Sequence, residues 1–292
     1  MFKRVAIYSK DNNSKTSEGV MRLVREFCSR GIKIQIYQKS PDLKACPGGD
    51  LMESFSSLSD LKALPDLVLS VGGDGTFLET MLKVRDYGIP IAGVNTGRMG
   101  FLANISEEEI SHSIDMLCQG EYEIVERCLL EIFKPQDLFG RDSSTALNEI
   151  TIQKGDPRMI TINVFVGNTY LNTYWADGLI VSTATGSTAY NLSVGGPILS
   201  PEDESIIISP ISPHNLTIRP IILSGESILR MVIEGRSREY LATCDFRSKR
   251  LPFSEEIQIV RSSGKLKTVM LKGRDFYSTL RNKLMWGADR RN

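Results

Sequence analysis

The sequence lacks an excess of charge of either sign, since 35 basic side chains are balanced by 35 acidic ones in 292 residues. A nucleic-acid groove or an anionic membrane surface would need a basic patch, so we expect neither as the main partner. Long apolar runs are also missing, and none approaches the roughly 20 residues that span a bilayer. The first four residues lead directly into a strand and not into a signal-peptide apolar region, which favours a cytoplasmic location.

Cysteine and histidine are scarce as well. The five cysteines are scattered without a C-x-x-C pair, and there are only two histidines. This pattern fits a reducing compartment and argues against a disulfide framework or a His-rich zinc site. Because the sequence shows no cluster of possible metal ligands, we assign no residue to a metal site.

Three nucleotide-binding signatures are also absent. There is no G-x-x-x-x-G-K-[ST] loop, which excludes a P-loop kinase. Gly93, Gly97 and Gly100 do not form G-x-G-x-x-G, so a simple dinucleotide-binding fingerprint is missing. No H-R-D or D-F-G sequence supports a protein kinase.

Strand and helix patterns alternate in the first part of the chain. A strand at Val5–Tyr8 precedes a helix with Ser17 as its N-cap and Gly31 as its stop. Ser106–Glu109 has the pattern of a capping box for a later helix. This alternation predicts an α/β domain with a Rossmann-like parallel sheet and crossover helices.

The pattern changes near residue 122. From there to about residue 261, short apolar and alternating runs follow one another with turn residues between them, which predicts an all-β domain of sandwich or barrel type. Phe276–Trp286 again has helical spacing, with Tyr277, Leu280 and Leu284 at its apolar positions.

The most informative stretch is Asp66–Thr80, which reads DLVLSVGGDGTFLET. A buried strand that ends in glycines before a helix places free backbone N–H groups where a phosphate binds. The alternative, about equally supported by this stretch alone, is a turn in which Asp and Gly only supply the backbone angles. Asp74 is unusual in either case, because an acid is unhelpful in an anion site unless it binds a metal or takes a proton.

A second glycine loop, Asn95–Leu102, follows the next predicted strand. In parallel sheets, ligands bind beyond the carboxyl ends of the strands, which share one edge. We therefore expect the two glycine loops to be neighbours in space.

Two further stretches attract attention. Asn148 and Glu149 place an amide and an acid side by side among strand residues, and by themselves they are best explained as a strand-end pair that faces water. Gly178–Ser193 is an uncharged run rich in small hydroxyl residues. An ordinary surface loop is the alternative here, but the composition favours a binding loop.

Gly72-Gly73-Asp74-Gly75-Thr76 resembles the signature of a kinase superfamily that holds NAD kinases, diacylglycerol-type lipid kinases and 6-phosphofructokinases. The other stretches separate these families. Asn95–Leu102, Asn148-Glu149, Asp177–Pro197 and Ser212–Pro220 resemble the NAD kinase family, in its order and spacing. The similarity extends over about residues 66–245 and is weak before residue 66.

The resemblance implies an N-terminal α/β domain, a C-terminal all-β domain with the dinucleotide between them, and a C-terminal segment that returns to the first domain. We accordingly expect an α/β nucleotide- and phosphate-binding domain at 1–122, a β-rich dinucleotide-binding domain at 123–270 and the returning segment at 271–292. The implied reaction transfers the γ-phosphoryl group of ATP to the 2′-hydroxyl of the adenosine ribose of NAD, giving NADP. A divalent metal, Mg²⁺, and a homo-oligomer, dimer or tetramer, are expected with it.

The resemblance also implies roles for individual residues. Asp74 would be the catalytic acid–base residue, and Phe101 an apolar wall of the cleft. Asp245 matches a family aspartate that is usually followed by glycine, whereas Phe246-Arg247 follows here. The remaining residues expected to bind substrate or phosphate are Gly72, Gly73, Gly75, Thr76, Asn148, Glu149, Asp177, Thr188, Ala189, Tyr190 and Ser193.

Two other functions remain open at this stage. One is another kinase of the same superfamily, which acts on a lipid or a sugar phosphate; the neutral charge and the absence of Arg or Lys in 177–193 count against it. The other is a non-catalytic NAD-binding regulator, against which the intact set of Asp74, Asn148, Glu149 and Asp177 argues.

Overall fold

The structure, a computed structural model, describes residues 2–10, 14–37, 52–97, 100–140, 144–236 and 238–285. The interpretations of Pro47-Gly48-Gly49 as a loop, of Arg98-Met99 within the second glycine loop, and of Trp286 in the last helix lie outside these residues. The chain divides into two units, residues 1–126 with 266–292 and residues 127–265. Each unit is described by itself.

The first unit is built on a parallel sheet with the strand order β3-β2-β1-β4-β5, with β6 parallel to β5. Its elements are β1 (Arg4–Ser9), α1 (Ser14–Ser29), β2 (Lys33–Tyr37), β3 (Met52–Phe55), β4 (Leu67–Val71), α2 (Asp74–Val84), β5 (Ile91–Asn95), β6 (Ile105–Ser106) and α3 (Ile110–Gln119). Every residue of β4 and β5 is buried, as expected for parallel strands with both faces covered. The strand order reverses between β1 and β4, where ligands bind in sheets of this kind. The prediction of a Rossmann-like parallel sheet is confirmed.

The start of α1 differs from the sequence-based expectation. Ser17 is not the N-cap of α1, because the helix already includes Ser14. The additional turn is fixed by packing, since Thr16 is buried and its hydroxyl lies 3.2 Å from that of Thr96. Gly31 does follow the end of this helix, in the left-handed conformation with φ 69°.

The capping box expected at Ser106–Glu109 does not form. Ser106 precedes a single 3₁₀ turn, Glu107–Glu109, and makes no side-chain cap hydrogen bond. Its hydroxyl instead donates to the Glu109 carboxylate at 2.7 Å, and Arg274 donates to the same oxygen. The Glu109 carboxylate thus has both a local partner in Ser106 and a charged partner from elsewhere in the chain, while the Ser106 side chain does not cap the turn.

The second unit is antiparallel and β-rich. Its elements are the part of β7 (Tyr122–Lys134) from residue 127 onward, β8 (Thr145–Ala146), β9 (Glu149–Lys154), β10 (Ile160–Val166), β11 (Thr169–Ala176), β12 (Gly178–Ser182), α4 (Tyr190–Ser193), β13 (Ile206–Ile211), β14 (Ile221–Leu223), β15 (Leu229–Gly235), β16 (Glu239–Cys244), β17 (Arg247–Pro252) and the part of β18 (Ile257–Leu271) up to residue 265. One sheet has the order β11-β10-β15-β18 and the other β14-β13-β12-β9-β16-β17. A single apolar cluster draws residues from both sheets, which makes the unit a sandwich, as the sequence predicts.

The C-terminal segment belongs to the first unit, as predicted. The end of β18 lies parallel to β5, with Thr268 opposite Ile91, and α5 (Phe276–Leu284) follows. Of the expected apolar stripe on this helix only Leu280 is buried, whereas Tyr277 and Leu284 are exposed. None of the helices in the described ranges combines the length and apolar character needed to cross a membrane.

Candidate active site

The first glycine loop joins β4 to α2. Gly72 has φ 151°, and its N–H donates to the Val94 carbonyl at 2.9 Å. A Cβ at this position would lie 2.4 Å from the hydroxyl oxygen of the buried Thr76. Gly73 is the N-cap and Asp74 the first residue of α2. The first N–H groups of a helix have no partner within the helix, so this end of α2 offers donors to an anion.

The second glycine loop holds the Asp74 carboxylate. One carboxylate oxygen accepts the N–H of Phe101 at 3.0 Å, and the other accepts those of Leu102 and Ala103 at 3.2 and 3.0 Å. The predicted proximity of the two glycine loops is therefore confirmed. A carboxylate has about four acceptor positions, so these three bonds leave room for one further donor.

Gly100 allows this arrangement by its lack of a side chain. A Cβ at residue 100 would lie 1.8 Å from Oδ1 of Asp74. The sequence marks Gly100 only as one member of a glycine-containing loop. Its specific role could not be predicted, because it depends on a contact between two loops.

Phe101 lies at the edge of the same site and is partly buried. Its ring centroid is 6.4 Å from that of Phe276, and Nζ of Lys283 lies 4.2 Å from the Phe101 ring centroid. Helix α5 therefore packs against the residue expected to form an apolar wall.

In the second unit, Asp245 holds the Asn148-Glu149 pair. Its carboxylate accepts the backbone N–H groups of Leu147, Asn148 and Glu149 at 2.9, 2.8 and 3.3 Å. Asp245 itself has φ 52° in the turn between β16 and β17. Phe246 follows at the position for which the resemblance implies a glycine, and the left-handed residue of the turn is Asp245.

Glu149 is a perturbed carboxyl group. Burial raises its pKa to about 8, the charge of Asp245 adds to this rise, and the backbone N–H of Tyr190 opposes it. Oε2 of Glu149 is buried and has no hydrogen-bond partner among the described residues. Burial also raises the pKa of Asp245, against its three backbone hydrogen bonds, which lower it. Two neighbouring acids in an enclosed position thus favour a protonated Glu149 at neutral pH.

The uncharged loop after β12 packs on this pair. The N–H of Thr183 donates to the Asn148 carbonyl at 2.9 Å, and the Thr183 hydroxyl donates to the Leu147 carbonyl at 2.6 Å. A Cβ at Gly186 would lie 2.0 Å from the Asn148 carbonyl oxygen. Thr183 is 1% exposed, so this part of the loop is not a solvated surface.

The expected binding residues Thr188, Ala189, Tyr190 and Ser193 follow directly on that loop. Thr188 closes a 3₁₀ turn, Thr185–Thr188, and the short helix α4 runs from Tyr190 to Ser193. Thr188 and Ala189 are partly buried, whereas Tyr190 and Ser193 are exposed.

Asp177 forms an ion pair that the sequence does not reveal. Its carboxylate accepts Nζ of Lys154 at 2.6 Å, and its carbonyl accepts the N–H of Lys154 at 2.9 Å. The neighbouring Gln153 donates to the Tyr190 hydroxyl at 3.3 Å. Lys154 carries no sequence signal, since it meets Asp177 only through the pairing of β9 with β12.

The predicted residues thus form two groups, one in each unit. The first unit holds Gly72, Gly73, Asp74, Gly75, Thr76 and Phe101. The second unit holds Asn148, Glu149, Asp177, Thr188, Ala189, Tyr190, Ser193 and Asp245. Within the described ranges, no three or more His, Cys, Asp or Glu side chains are placed to hold a metal ion.

The chain matches two protein-family domains. Residues 5–122 match the ATP-NAD kinase N-terminal domain, and residues 147–271 match the ATP-NAD kinase C-terminal domain. Among similar proteins, the NAD kinase of Cytophaga hutchinsonii is 44% identical over 240 residues, 82% of each chain. The NAD kinase of Flavobacterium psychrophilum is 37% identical over 295 residues, which cover 99% of this chain and 100% of that one.

Solved structures share the fold. An NAD kinase from Archaeoglobus fulgidus in complex with ATP has a TM-score of 0.72 and 26% identity, over 97% of this chain and 98% of that chain. Yeast NADH kinase complexed with NADH has a TM-score of 0.84 and 23% identity, over 98% of this chain and 88% of that chain.

Proposed function

The chain belongs to the ATP-NAD kinase family, and we propose that it transfers the γ-phosphoryl group of ATP to the 2′-hydroxyl of the adenosine ribose of NAD, giving NADP. Both family domains are present, and relatives at 37% identity match over their whole length. The protein is therefore an enzyme, an ATP-dependent kinase of NAD. The assignment of residues to individual steps is the proposal.

The observation that carries the catalytic assignment is the position of the Asp74 carboxylate at the N-terminus of α2, fixed by three N–H donors. A ribose hydroxyl is a weak nucleophile, and a carboxylate within hydrogen-bond reach accepts its proton as the bond to phosphorus forms. The remaining acceptor position of Asp74 suits this role. Asp74 therefore acts as the general base.

The glycine loop supplies the electrostatic part of the reaction. Phosphoryl transfer depends chiefly on positioning and on neutralisation of charge on the phosphoryl oxygens. Gly73 and Gly75 are exposed, and a Cβ on either would meet no atom within 4 Å. The N–H groups at this end of α2 are therefore open to the phosphates of ATP.

Magnesium enters this proposal as the counter-ion of ATP. Mg²⁺ is usually held by substrate phosphates, waters and one or two carboxylates, so it needs no cage of protein ligands. This fits the described residues, which contain no cluster of metal ligands and place a single acid, Asp74, in the glycine loop. Bound to ATP, the ion neutralises phosphate charge.

The second unit supplies the dinucleotide contacts in our proposal. Asn148 and Glu149 hydrogen-bond the adenosine half of NAD, with Thr188, Ala189, Tyr190 and Ser193 around it. The unpartnered Oε2 of Glu149 supports this role, because a buried polar atom is costly unless a ligand pairs with it. Asp177 contacts the dinucleotide beside Lys154, and Asp245 acts through the backbone that it holds.

The same proposal covers the domain boundaries, the assembly and the cellular location. We propose functional domains at 1–122 and 123–270 with a returning segment at 271–292, a homo-oligomer, and a cytoplasmic location. The family resemblance supports the domains and the oligomer, and the scattered cysteines support a reducing compartment.

The test is production of NADP from NAD, ATP and Mg²⁺ by the purified protein, detected with an NADP-specific dehydrogenase. Asp74→Asn is expected to fold and bind NAD but to lose turnover by about 10²-fold or more, the range of general-base effects. A near-normal rate in Asp74→Asn would remove Asp74 as the base. If the wild type binds NAD but makes no NADP, a non-catalytic regulator would be favoured. If it phosphorylates a lipid or a sugar phosphate and not NAD, another kinase of the superfamily would be favoured.

A further inference from the structure

The stretch Phe101–Asn104, at the end of the second glycine loop and just beyond it, is held from two sides. On one side, three consecutive backbone N–H groups, those of Phe101, Leu102 and Ala103, donate to the Asp74 carboxylate. On the other side, the C-terminal segment contacts the first and last residues of the same stretch. The position of the Asp74 carboxylate is thereby connected to residues two hundred positions further along the chain.

Arg274 holds the end of the stretch at Asn104. One guanidinium nitrogen donates to the Asn104 carbonyl, and the other donates to Oε2 of Glu109 at 2.7 Å. Oε2 also accepts the Ser106 hydroxyl at 2.7 Å. The Ser106 hydrogen bond and then Arg274 lower the pKa of Glu109, so the Arg274–Glu109 pair stays charged at neutral pH.

Helix α5 holds the other end through Phe101. Nζ of Lys283 lies 4.2 Å from the Phe101 ring centroid, within the range of a cation–π contact, and Phe276 packs at 6.4 Å. The helix has its own anchors in the buried Leu280 and in the Asp275 side chain, which accepts the N–H of Ser278 at 2.8 Å. Both supports of the stretch therefore come from one C-terminal segment.

We propose that the C-terminal segment positions the catalytic carboxylate, with Arg274 as the positioning residue that acts through Asn104 and the adjoining N–H donors on Asp74. The proposal rests on the function proposed above, since it requires Asp74 to be the base. Arg274 need not touch substrate for this role. A displacement of 1 Å in a catalytic group can lower a rate by about 10²-fold, so a small shift of this stretch is sufficient to affect turnover.

The test is Arg274→Ala in the full-length enzyme, with NADP formation followed at varied NAD and ATP. We expect kcat to fall by about 10-fold or more, as misplacement predicts, while the dissociation constants of NAD and ATP and the unfolding midpoint stay near those of the wild type. Arg274→Lys keeps the charge, but an ammonium group replaces the guanidinium that donates to both Asn104 and Glu109. We expect this variant to have an intermediate kcat.

Two matched variants separate the contacts. Lys272→Ala removes an exposed cation two residues away and is expected to keep the wild-type kcat. Glu109→Gln weakens the ion pair but leaves the Arg274 donor to the Asn104 carbonyl in place, so most of kcat should remain. If Glu109→Gln loses as much kcat as Arg274→Ala, the ion pair and not the loop contact is responsible, and the proposal is wrong.

A double-mutant comparison distinguishes positioning from a general structural role. In an Asp74→Asn background, Arg274→Ala should reduce the residual rate very little, because the group that it positions is already lost. Full additivity of the two losses, an unchanged kcat in Arg274→Ala, or a parallel fall of kcat, ligand affinity and unfolding midpoint would each overturn the proposal. A wild-type enzyme that makes no NADP would overturn the proposed function instead, so the two failures are distinguishable.

Discussion

The carboxylate of Asp245 accepts a hydrogen bond of 2.8 Å from the backbone N–H of Asn148, a residue 97 positions earlier in the chain. The same carboxylate accepts the N–H groups on either side, and the Asp245 N–H donates to the Glu149 carbonyl at 3.0 Å. Asn148 and Glu149 thus have a fixed backbone, and Oε2 of Glu149, which has no hydrogen-bond partner among the described residues, remains available for another one. Asp245 supports the backbone of this pair, which we propose binds NAD, even though glycine does not follow it.

Variants of Asp245 should separate two contributions to the free energy of unfolding. One is the loss of the carboxylate as hydrogen-bond acceptor, and the other is the strain of a side chain at positive φ. Asp245→Ala leaves N–H groups without an acceptor, which costs about 1–3 kcal/mol, and it keeps a Cβ at φ 52°, a strain of about 1 kcal/mol that Asp245 itself already bears. Asp245→Gly loses the acceptor but tolerates the backbone angle, so it should be less destabilised than Asp245→Ala by about 1 kcal/mol. Urea unfolding of the three proteins measures these differences. Equal stability of the Ala variant and the wild type would contradict the role of the carboxylate.

The raised pKa of Glu149 predicts a pH dependence of stability. Its pKa is about 8 in the folded protein, first because of burial and then because of Asp245, against an ordinary value of 4.5. Between these values the folded state keeps a proton that the unfolded state has lost. The contribution of Glu149 to the free energy of unfolding should therefore fall as pH rises from about 4.5 to about 8, and then level off.

Glu149→Gln should remove this dependence. We expect the variant to unfold at nearly the wild-type urea concentration at pH 5 and at a higher concentration than the wild type at pH 8.5. Glu202→Gln, which neutralises an exposed carboxylate in the same unit, serves as the control. A constant stability difference between Glu149→Gln and the wild type at both pH values would show that Glu149 does not hold the extra proton.

The close approach of Gly100 to Asp74 predicts a selective loss of activity. Since a Cβ at residue 100 would lie 1.8 Å from Oδ1 of Asp74, Gly100→Ala must displace the carboxylate from its three N–H donors. We expect kcat to fall by about 10²-fold, comparable to the loss of the base itself.

Gly97→Ala is the control in the same loop. Among the described residues, its Cβ would meet Oδ1 of Asn95 alone, at an ordinary 3.9 Å, so kcat should stay near that of the wild type. If both alanine variants lose the same activity, the cause would be the loop in general, and the specific contact between Gly100 and Asp74 would not explain it.

Local patterns predicted the layers of this fold, and long-range contacts account for what they missed. Alternating strands and helices were sufficient for the parallel sheet, and a shared sheet edge was sufficient to bring the two glycine loops together. The start of α1 was misplaced because Thr16 packs against Thr96, a contact with no local signature. At Ser106 the expected capping box is incomplete: its hydroxyl binds the Glu109 carboxylate, which also pairs with Arg274 from the other end of the chain.

The proposed site residues also divide into those that a local motif identifies and those that depend on long-range contacts. Asp74, Asn148 and Glu149 stand in recognisable motifs, so they could be selected from the sequence. Lys154 and the holding role of Asp245 could not be predicted, because each depends on which strands of the second unit become neighbours. Residues that support a site carry weaker sequence signals than residues that contact a ligand.

The three glycines of the first loop should respond differently to alanine. At Gly72 a Cβ would lie 2.4 Å from Oγ1 of Thr76 and the φ of 151° disfavours a side chain, so Gly72→Ala should destabilise the protein. At Gly73 and Gly75 a Cβ would meet no atom within 4 Å. Gly75 lies within α2, where alanine stabilises a helix by about 0.5–1 kcal/mol relative to glycine.

Among the described residues, no contact therefore requires glycine at 73 or 75, and we explain these two glycines by the approach of the ATP phosphates. We expect Gly75→Ala to be as stable as the wild type or more stable, whereas Gly73→Ala should lose about 0.5–1 kcal/mol, because Gly73 is the N-cap of α2 and alanine is a poor N-cap residue. Both variants should lower kcat/KM for ATP by about 10-fold or more, because a side chain holds the phosphate away from the N–H donors. Thermal unfolding and initial rates at varied ATP measure the two effects on the same samples. Stable variants with unchanged kcat/KM for ATP would show that these glycines only shape the turn, which is the alternative that the sequence left open.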